Sequence, residues 1–210
     1  NVHMPDVDQR RTALPANGGM YCVPTAAFNI FAYAANHGFP DAAPGPGNWQ
    51  NSNYIAANLW LNLIGDWMNT DPEDGTFGPG VKAGLEKLVE YEPFLKYVRK
   101  YKSNNYTPTA GKLANYACSG WAMSFVYGRY KVTSTHLGVP VVKRDGGHAV
   151  TLTRLYRAGE NWNLRYRDPA DDSANLSTQS LFANTSRTPW SYLAYYGGTA
   201  FSNLRSMTAI

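Results

Sequence analysis

The amino-acid sequence predicts an α+β fold in which an N-terminal helical part packs on a C-terminal antiparallel β-sheet. In the first half of the chain, apolar residues recur at the three- and four-residue spacing of amphipathic helices. From Ala122 onward, segments rich in β-branched and aromatic residues alternate with turn residues. Because the helical patterns come first and the strand patterns follow, the order favours α+β over an alternating, parallel α/β fold.

The first half of the chain contains four predicted helices. The first begins at Pro24, a residue suited to an opening helical turn, and ends at Asn36, shortly before the capping residue Gly38. Alanine, isoleucine and phenylalanine form an apolar stripe along this segment. The other predicted helices span residues 54–68, 79–91 and about 109–119.

The second half contains the predicted strands. The segment Ala158 to Asn161 includes a glycine and separates two strand-like segments, so a hairpin turn is expected there. Residues 92–102 fit either a short strand or a helix, and residues 190–210 contain segments suited to a further strand. The predicted strands span residues 122–132, 139–143, 149–157 and 162–168.

Length and composition describe one globular domain, residues 1–210. A chain of this length can bury a core large enough to fold without a disulfide or a structural metal. Charged residues make up only 16% of the chain, against roughly 25% in ordinary domains. This low charge, together with abundant Trp and Tyr, indicates a secreted or periplasmic protein.

The charge pattern restricts the partners that we expect. The net charge is +4, and the basic residues are scattered apart from a modest cluster between Lys96 and Lys102. Nucleic-acid binding needs a denser basic patch, so no nucleic-acid partner is expected. Weak association with an anionic cell wall stays open. No apolar run reaches the roughly 20 residues of a membrane-spanning helix.

Neither a metal nor another cofactor is expected. The two cysteines, Cys22 and Cys118, form either one disulfide bond or none. No group of His and Cys residues has the spacing of zinc ligands. The acidic segment Asp71 to Gly75 does not match a calcium-binding loop, and a turn before a helix is the simpler interpretation.

Cys22 is the candidate nucleophile. It follows the turn Asn17-Gly18-Gly19 and precedes the helix that Pro24 opens. The N-terminus of a helix stabilises a thiolate, and backbone N–H groups in such a turn are suited to an oxyanion hole. The alternative is a buried core cysteine, which is a common role for a single cysteine.

His148 is the candidate base. It follows Gly146 and Gly147 at the start of a predicted strand, and the two glycines permit another segment to approach closely. None of the other histidines, His3, His37 and His136, has a comparable setting. The alternative is an ordinary histidine at the end of a strand.

Asp168 is the candidate group that orients the base. If Ala158 to Asn161 forms the turn, the numbers of paired residues sum to about 319, which places His148 opposite a residue near position 171. Asp168 then lies about three positions from that residue, near enough to accept the imidazole N–H. The segment Asp168-Pro169 also suits a turn that ends a strand, and the two interpretations are compatible.

Three motifs in this order resemble those of papain-like cysteine peptidases. They are Tyr21-Cys22-Val23-Pro24-Thr25-Ala26, Gly147-His148-Ala149-Val150 and Arg167-Asp168-Pro169-Ala170. The nearest branch is that of the bacteriocin-leader-processing peptidases and their stand-alone secreted relatives. The resemblance spans roughly residues 5 to 172. It implies a bacterial thiol protease with a papain-like fold and a catalytic triad of Cys22, His148 and Asp168.

The resemblance also implies a glutamine upstream of the cysteine that donates to the oxyanion. Gln9, at 22 − 9 = 13 positions before Cys22, is the candidate, and Asn17 is the alternative. Val23 stands where the family usually has glycine, which restricts the backbone beside the nucleophile.

Three functions are compatible with these residues. The first is a cysteine peptidase or related acyl hydrolase that cleaves a peptide or amide bond in a peptide or protein substrate. The second is a catalytically silent papain-like module that binds a peptide or a cell-wall glycan. The third is a secreted effector with amidase, deamidase or acyltransferase activity. Intact Cys22, His148 and Asp168 favour an enzyme, because a binding module needs none of them.

Overall fold

The chain folds into α-helices and an antiparallel β-sheet, which confirms the predicted α+β class. The computed structural model describes residues 3–42, 44–49, 53–91, 102–104, 110–137, 139–159, 161–170, 177–181, 193–196 and 200–209.

The predicted helices are confirmed, with small changes at their ends. Helix α1 begins at Cys22, two residues before the predicted start at Pro24, because proline fits anywhere in a first turn, where N–H groups have no helical acceptor. A tight turn, Pro15–Gly18, precedes it. Within the described ranges, no helix has both the length and the hydrophobicity to span a membrane. The helices are α1 (Cys22–Asn36), α2 (Tyr54–Trp67), α3 (Gly78–Tyr91) and α4 (Ala110–Cys118).

The described strands form one sheet in the order β1-β7-β2-β3-β4-β5, and β6 pairs with β7. Every pair is antiparallel. The strands are β1 (Lys102–Asn104), β2 (Met123–His136), β3 (Val139–Ala158), β4 (Asn161–Arg167), β5 (Ser177–Leu181), β6 (Leu193–Tyr196) and β7 (Ala200–Ala209).

The predicted strands are found in both hairpins, with two differences. Strand β2 continues to His136, four residues beyond its predicted end at residue 132, because it pairs with β3 up to the turn. The predicted break between residues 143 and 149 is wrong, because β3 runs through Gly146 and Gly147 without interruption. A shift in the β2–β3 register and the positive φ of 100° at Gly146 accommodate the extra residue there as a bulge. The expected C-terminal strand is confirmed as β6 and β7. Most of the ambiguous segment 92–102 lies outside the described residues.

Two apolar clusters cover the two faces of the sheet. On β3, Ala149 belongs to the cluster built by α1, α2 and α3, whereas Val150 and Leu152 belong to a cluster with Leu113 of α4. This alternation is the two-residue period of a strand that is buried on both faces. The first cluster fixes α1 against β3, and with it the position of Cys22.

An extended segment near the N-terminus, residues 4–9, joins α1 to the end of β4, and we call it the strap. The side chain of Arg167 donates to Asp6 Oδ2 (3.1 Å) and to the carbonyl oxygen of Met4 (3.3 Å). The backbone N–H of Val7 donates to Asn29 Oδ1 of α1 at 3.1 Å. The strap therefore connects two elements that carry candidate catalytic residues.

Candidate active site

Cys22 is the first residue of α1, and its thiol is free and partly exposed. The preceding residue, Tyr21, is buried, and its ring lies where a side chain on Gly65 of α2 would be. The hydroxyl of Thr25 donates to the carbonyl oxygen of Tyr21 at 2.8 Å. The buried ring and this hydrogen bond hold the start of α1, so the thiol occupies a defined position at the helix N-terminus.

A left-handed turn leads into Cys22. Ala16, Asn17 and Gly18 have φ values of 46°, 53° and 72°. A Cβ atom on Gly18 would lie only 1.7 Å from the backbone oxygen of Gln9, so this position admits no side chain. The turn therefore depends on glycine both for its conformation and for the close approach of the strap.

His148 and Asp168 form a hydrogen-bonded pair. The imidazole Nε2 lies 2.5 Å from Asp168 Oδ1, and His148 is only 4% exposed. The backbone N–H of Ala170 donates to the same carboxylate oxygen at 2.9 Å, which fixes Asp168 just after the end of β4. This contact was predicted from the hairpin, and it fixes the orientation of the imidazole ring.

The register of the hairpin explains how Asp168 reaches His148. Ala158 pairs with Asn161, so the numbers sum to 319 as predicted, but Thr151 pairs with Arg167, and this sum is 318. A bulge between Leu152 and Arg154 produces the difference. It brings the segment after β4 one residue closer to His148 than a regular hairpin would.

The Cys22 thiol lies close enough to His148 to raise the pKa of the imidazole, so the three predicted catalytic residues are neighbours. Because Nε2 faces Asp168, the ring nitrogen left for Cys22 is Nδ1. Burial is the largest single influence on the pKa of His148 and lowers it. The hydrogen bonds and charges of Asp168 and Cys22 together outweigh burial and raise this pKa above its ordinary value of 6.5. The site thus favours a protonated imidazole beside the thiol.

Gln9, the predicted oxyanion-hole donor, is hydrogen-bonded to the turn that precedes Cys22. Its Nε2 donates to the carbonyl oxygens of Gly18 (3.1 Å) and Gly19 (2.8 Å), and its Oε1 is buried without a partner. Its backbone N–H donates to the carbonyl oxygen of Pro169 at 2.8 Å. Gln9 therefore connects the turn before Cys22 with the turn after Asp168, and its amide donor is already engaged.

Other donors lie nearer to the thiol. The backbone N–H groups of Cys22 and Val23 are in the first turn of α1, where a helix offers no acceptor for them. The alternative donor, Asn17, is exposed in the preceding turn. The first-turn N–H groups are therefore the better candidates for stabilising an oxyanion.

We expect Gln9→Ala to slow the alkylation of Cys22 by iodoacetamide roughly tenfold at about pH 6, because the two turns lose their connection. Loss of the buried hydrogen bonds should also lower the free energy of unfolding by about 1–3 kcal/mol. Alkylation of a thiol forms no oxyanion, so its rate reports the position and environment of Cys22 and is independent of any oxyanion hole. Asn17→Ala is the matched control. If Cys22 in Gln9→Ala is alkylated as fast as in the wild type but the variant cleaves peptides slowly, Gln9 acts as an oxyanion donor and the positioning role is wrong.

The ion pair of Asp6 with Arg167 has no signal in the sequence. Arg167 opens the third motif, but Asp6 lies 161 positions away, and no motif indicates it as the partner. Asp6 is almost fully buried, with a side chain 5% exposed, so its ion pair with Arg167 is shielded from solvent. Arg167 immediately precedes Asp168, and its contacts with the strap therefore restrict the backbone that carries the carboxylate.

The described residues contain no group of three or more His, Cys, Asp or Glu side chains arranged to hold a metal ion. Comparison of the chain with models of known protein families and with curated proteins found no match.

Proposed function

We propose that the protein is a papain-like cysteine peptidase or a related acyl hydrolase, with Cys22, His148 and Asp168 as its catalytic triad. One observation carries this proposal. His148 is buried, is hydrogen-bonded to Asp168, and lies close enough to Cys22 for the thiol to raise the pKa of the imidazole, although the three residues come from α1, β3 and the segment after β4. A nucleophile, a base and a group that orients the base, within reach of one another, are the parts that acyl transfer requires.

The proposed reaction begins with attack of the Cys22 thiolate on the carbonyl carbon of a peptide or amide bond. The carbonyl π electrons move to oxygen, and the N–H groups at the start of α1 stabilise the resulting oxyanion. When the tetrahedral intermediate collapses, the C–N bond breaks and the His148 imidazolium gives its proton to the leaving amine. An acyl thioester on Cys22 and a neutral imidazole remain.

Hydrolysis of the thioester completes the cycle. Neutral His148 takes a proton from water as the oxygen attacks the acyl carbon, and the C–S bond then breaks. This step releases a carboxylic acid and restores the thiolate–imidazolium pair. Asp168 keeps the ring oriented and stabilises its positive charge throughout. An amine in place of water would give acyl transfer by the same residues.

The proposal is tested with a complex peptide mixture, incubated with the wild-type chain, Cys22→Ala or Cys118→Ala, followed by mass spectrometry of the products. We expect cleavage by the wild type and by Cys118→Ala, and a loss of roughly 10⁴-fold or more in Cys22→Ala. Incorporation of heavy oxygen from labelled water identifies hydrolysis, and a new amide identifies transfer. Equal activity of Cys22→Ala, or binding of peptides with no turnover by the wild type, would contradict the proposal.

A further inference from the structure

The surface by which α1 packs on β3 includes small apolar side chains. Ala26 of α1 and Ala149 of β3 are both buried in the cluster that holds the two elements together. Apolar contacts of this kind have no preferred direction, so they restrict the position of the helix along the strand only loosely. The proposed enzyme needs a defined position, because Cys22 begins α1 and His148 lies on β3.

Two buried polar side chains join the same two elements. Asn29 of α1 and Thr151 of β3 are each 0% exposed, so water cannot replace their partners. Asn29 Nδ2 donates to Thr151 Oγ1 at 3.4 Å, and the hydroxyl of Thr151 donates to the carbonyl oxygen of Ala26 at 3.1 Å. Asn29 Oδ1 accepts the backbone N–H of Val7 in the strap at 3.1 Å. These hydrogen bonds join α1, β3 and the strap, and we call them the polar junction.

The polar junction and the catalytic pair are equally far apart along the helix and along the strand. Cys22 and Asn29 are separated by 29 − 22 = 7 residues, which is roughly 10 Å of helix. His148 and Thr151 are separated by 151 − 148 = 3 residues, which is also roughly 10 Å of strand. A movement of α1 along β3 that breaks the polar junction would therefore also separate Cys22 from His148.

We propose that Asn29 and Thr151 are positioning residues for the catalytic pair. Their hydrogen bonds are directional, and leaving a buried polar group without a partner is costly, so the polar junction is satisfied at one position of α1 on β3. Apolar side chains of the same size would fill the same space without selecting that position. The inference rests on the proposed function, since the position matters through the distance between the Cys22 thiol and the His148 imidazole.

The test compares Thr151→Val and Asn29→Ala with Thr151→Ser in the purified full chain. Valine keeps the shape of threonine and removes the hydroxyl, whereas serine keeps the hydroxyl and removes the methyl group. Site-resolved mass spectrometry follows the alkylation of Cys22 by iodoacetamide. At about pH 6 we expect a rate roughly tenfold lower in Thr151→Val and in Asn29→Ala, and within about twofold of the wild type in Thr151→Ser. At about pH 9, where an ordinary thiol also ionises, Thr151→Val should differ much less from the wild type.

Chemical denaturation of the same samples separates positioning from stability. All three variants lose a buried interaction, so all should unfold at a lower denaturant concentration than the wild type. Equal slowing of Cys22 alkylation in the three variants, or a wild-type rate in either Thr151→Val or Asn29→Ala, would overturn the inference and leave the catalytic pair intact. If Cys22 in the wild type reacts at about pH 6 no faster than the exposed thiol of Cys118, the catalytic pair is wrong, and the inference falls with it.

Discussion

Replacing His148 with alanine is expected to slow the alkylation of Cys22 by iodoacetamide roughly 100-fold at about pH 6. Alkylation requires the thiolate form of a cysteine, and the positive charge of an adjacent imidazolium stabilises a thiolate. The raised pKa of His148 keeps the imidazole protonated under these conditions. Removing the ring therefore removes the charge that stabilises the nucleophile.

The chain contains its own reference for this measurement. Cys118 is a free and exposed thiol at the end of α4, so its alkylation in the same sample reports the reactivity of an accessible cysteine. His37→Ala is the control for loss of a histidine, because His37 is exposed and stacks on Tyr33. Site-resolved mass spectrometry over a range of pH gives both rates. If Cys22 reacts equally fast in His148→Ala and in the wild type, the proposed pair is wrong.

Gly18→Ala is expected to lower the free energy of unfolding by about 2–5 kcal/mol. The new methyl group would lie 1.7 Å from the backbone oxygen of Gln9, and the residue would have to keep a φ of 72°. The strap or the turn must move, and either movement disturbs Cys22. Chemical denaturation monitored by tryptophan fluorescence measures the change.

Gly19→Ala is the matched control for this substitution. Gly19 has an ordinary helical φ of −52°, and a Cβ atom there would meet its nearest neighbour, the backbone oxygen of Ala16, at 3.4 Å. The free energy of unfolding should change by less than about 1 kcal/mol. Similar losses of stability in the two variants would show that the close approach of Gln9 to Gly18 is not what constrains the turn.

The sequence predicted the elements whose signals are local. Apolar periodicity identified the four helices, because each has a face that packs on the core. At α1 the predicted start differs from the observed start by two residues. The hairpin turn at Ala158 to Asn161 set the register, and this register brought Asp168 within reach of His148. The contact of His148 with Asp168 was therefore accessible from the hairpin register, whereas the grouping of Cys22 with them in the proposed triad came from the resemblance to papain-like peptidases.

The features that the sequence did not predict depend on bulges and on distant contacts. The bulge at Gly146 keeps β3 continuous where two glycines suggested a break. The engagement of Gln9 with Gly18 and Gly19 depends on how the strap crosses the turn, which no spacing along the chain encodes. The ion pair of Asp6 with Arg167 joins residues 161 positions apart, and patterns of local sequence carry no information about such a distant contact.

The strap also has a consequence for the time at which the proposed enzyme becomes active during synthesis. Cys22 leaves the ribosome 148 − 22 = 126 residues before His148, which is an interval of roughly 6 to 25 seconds. Throughout that interval the nucleophile has no base, and the strap has no Arg167 to bind. In the proposed mechanism the nascent chain is therefore inactive during this interval, and activity begins only when the hairpin that carries His148 and Asp168 closes onto the strap and α1.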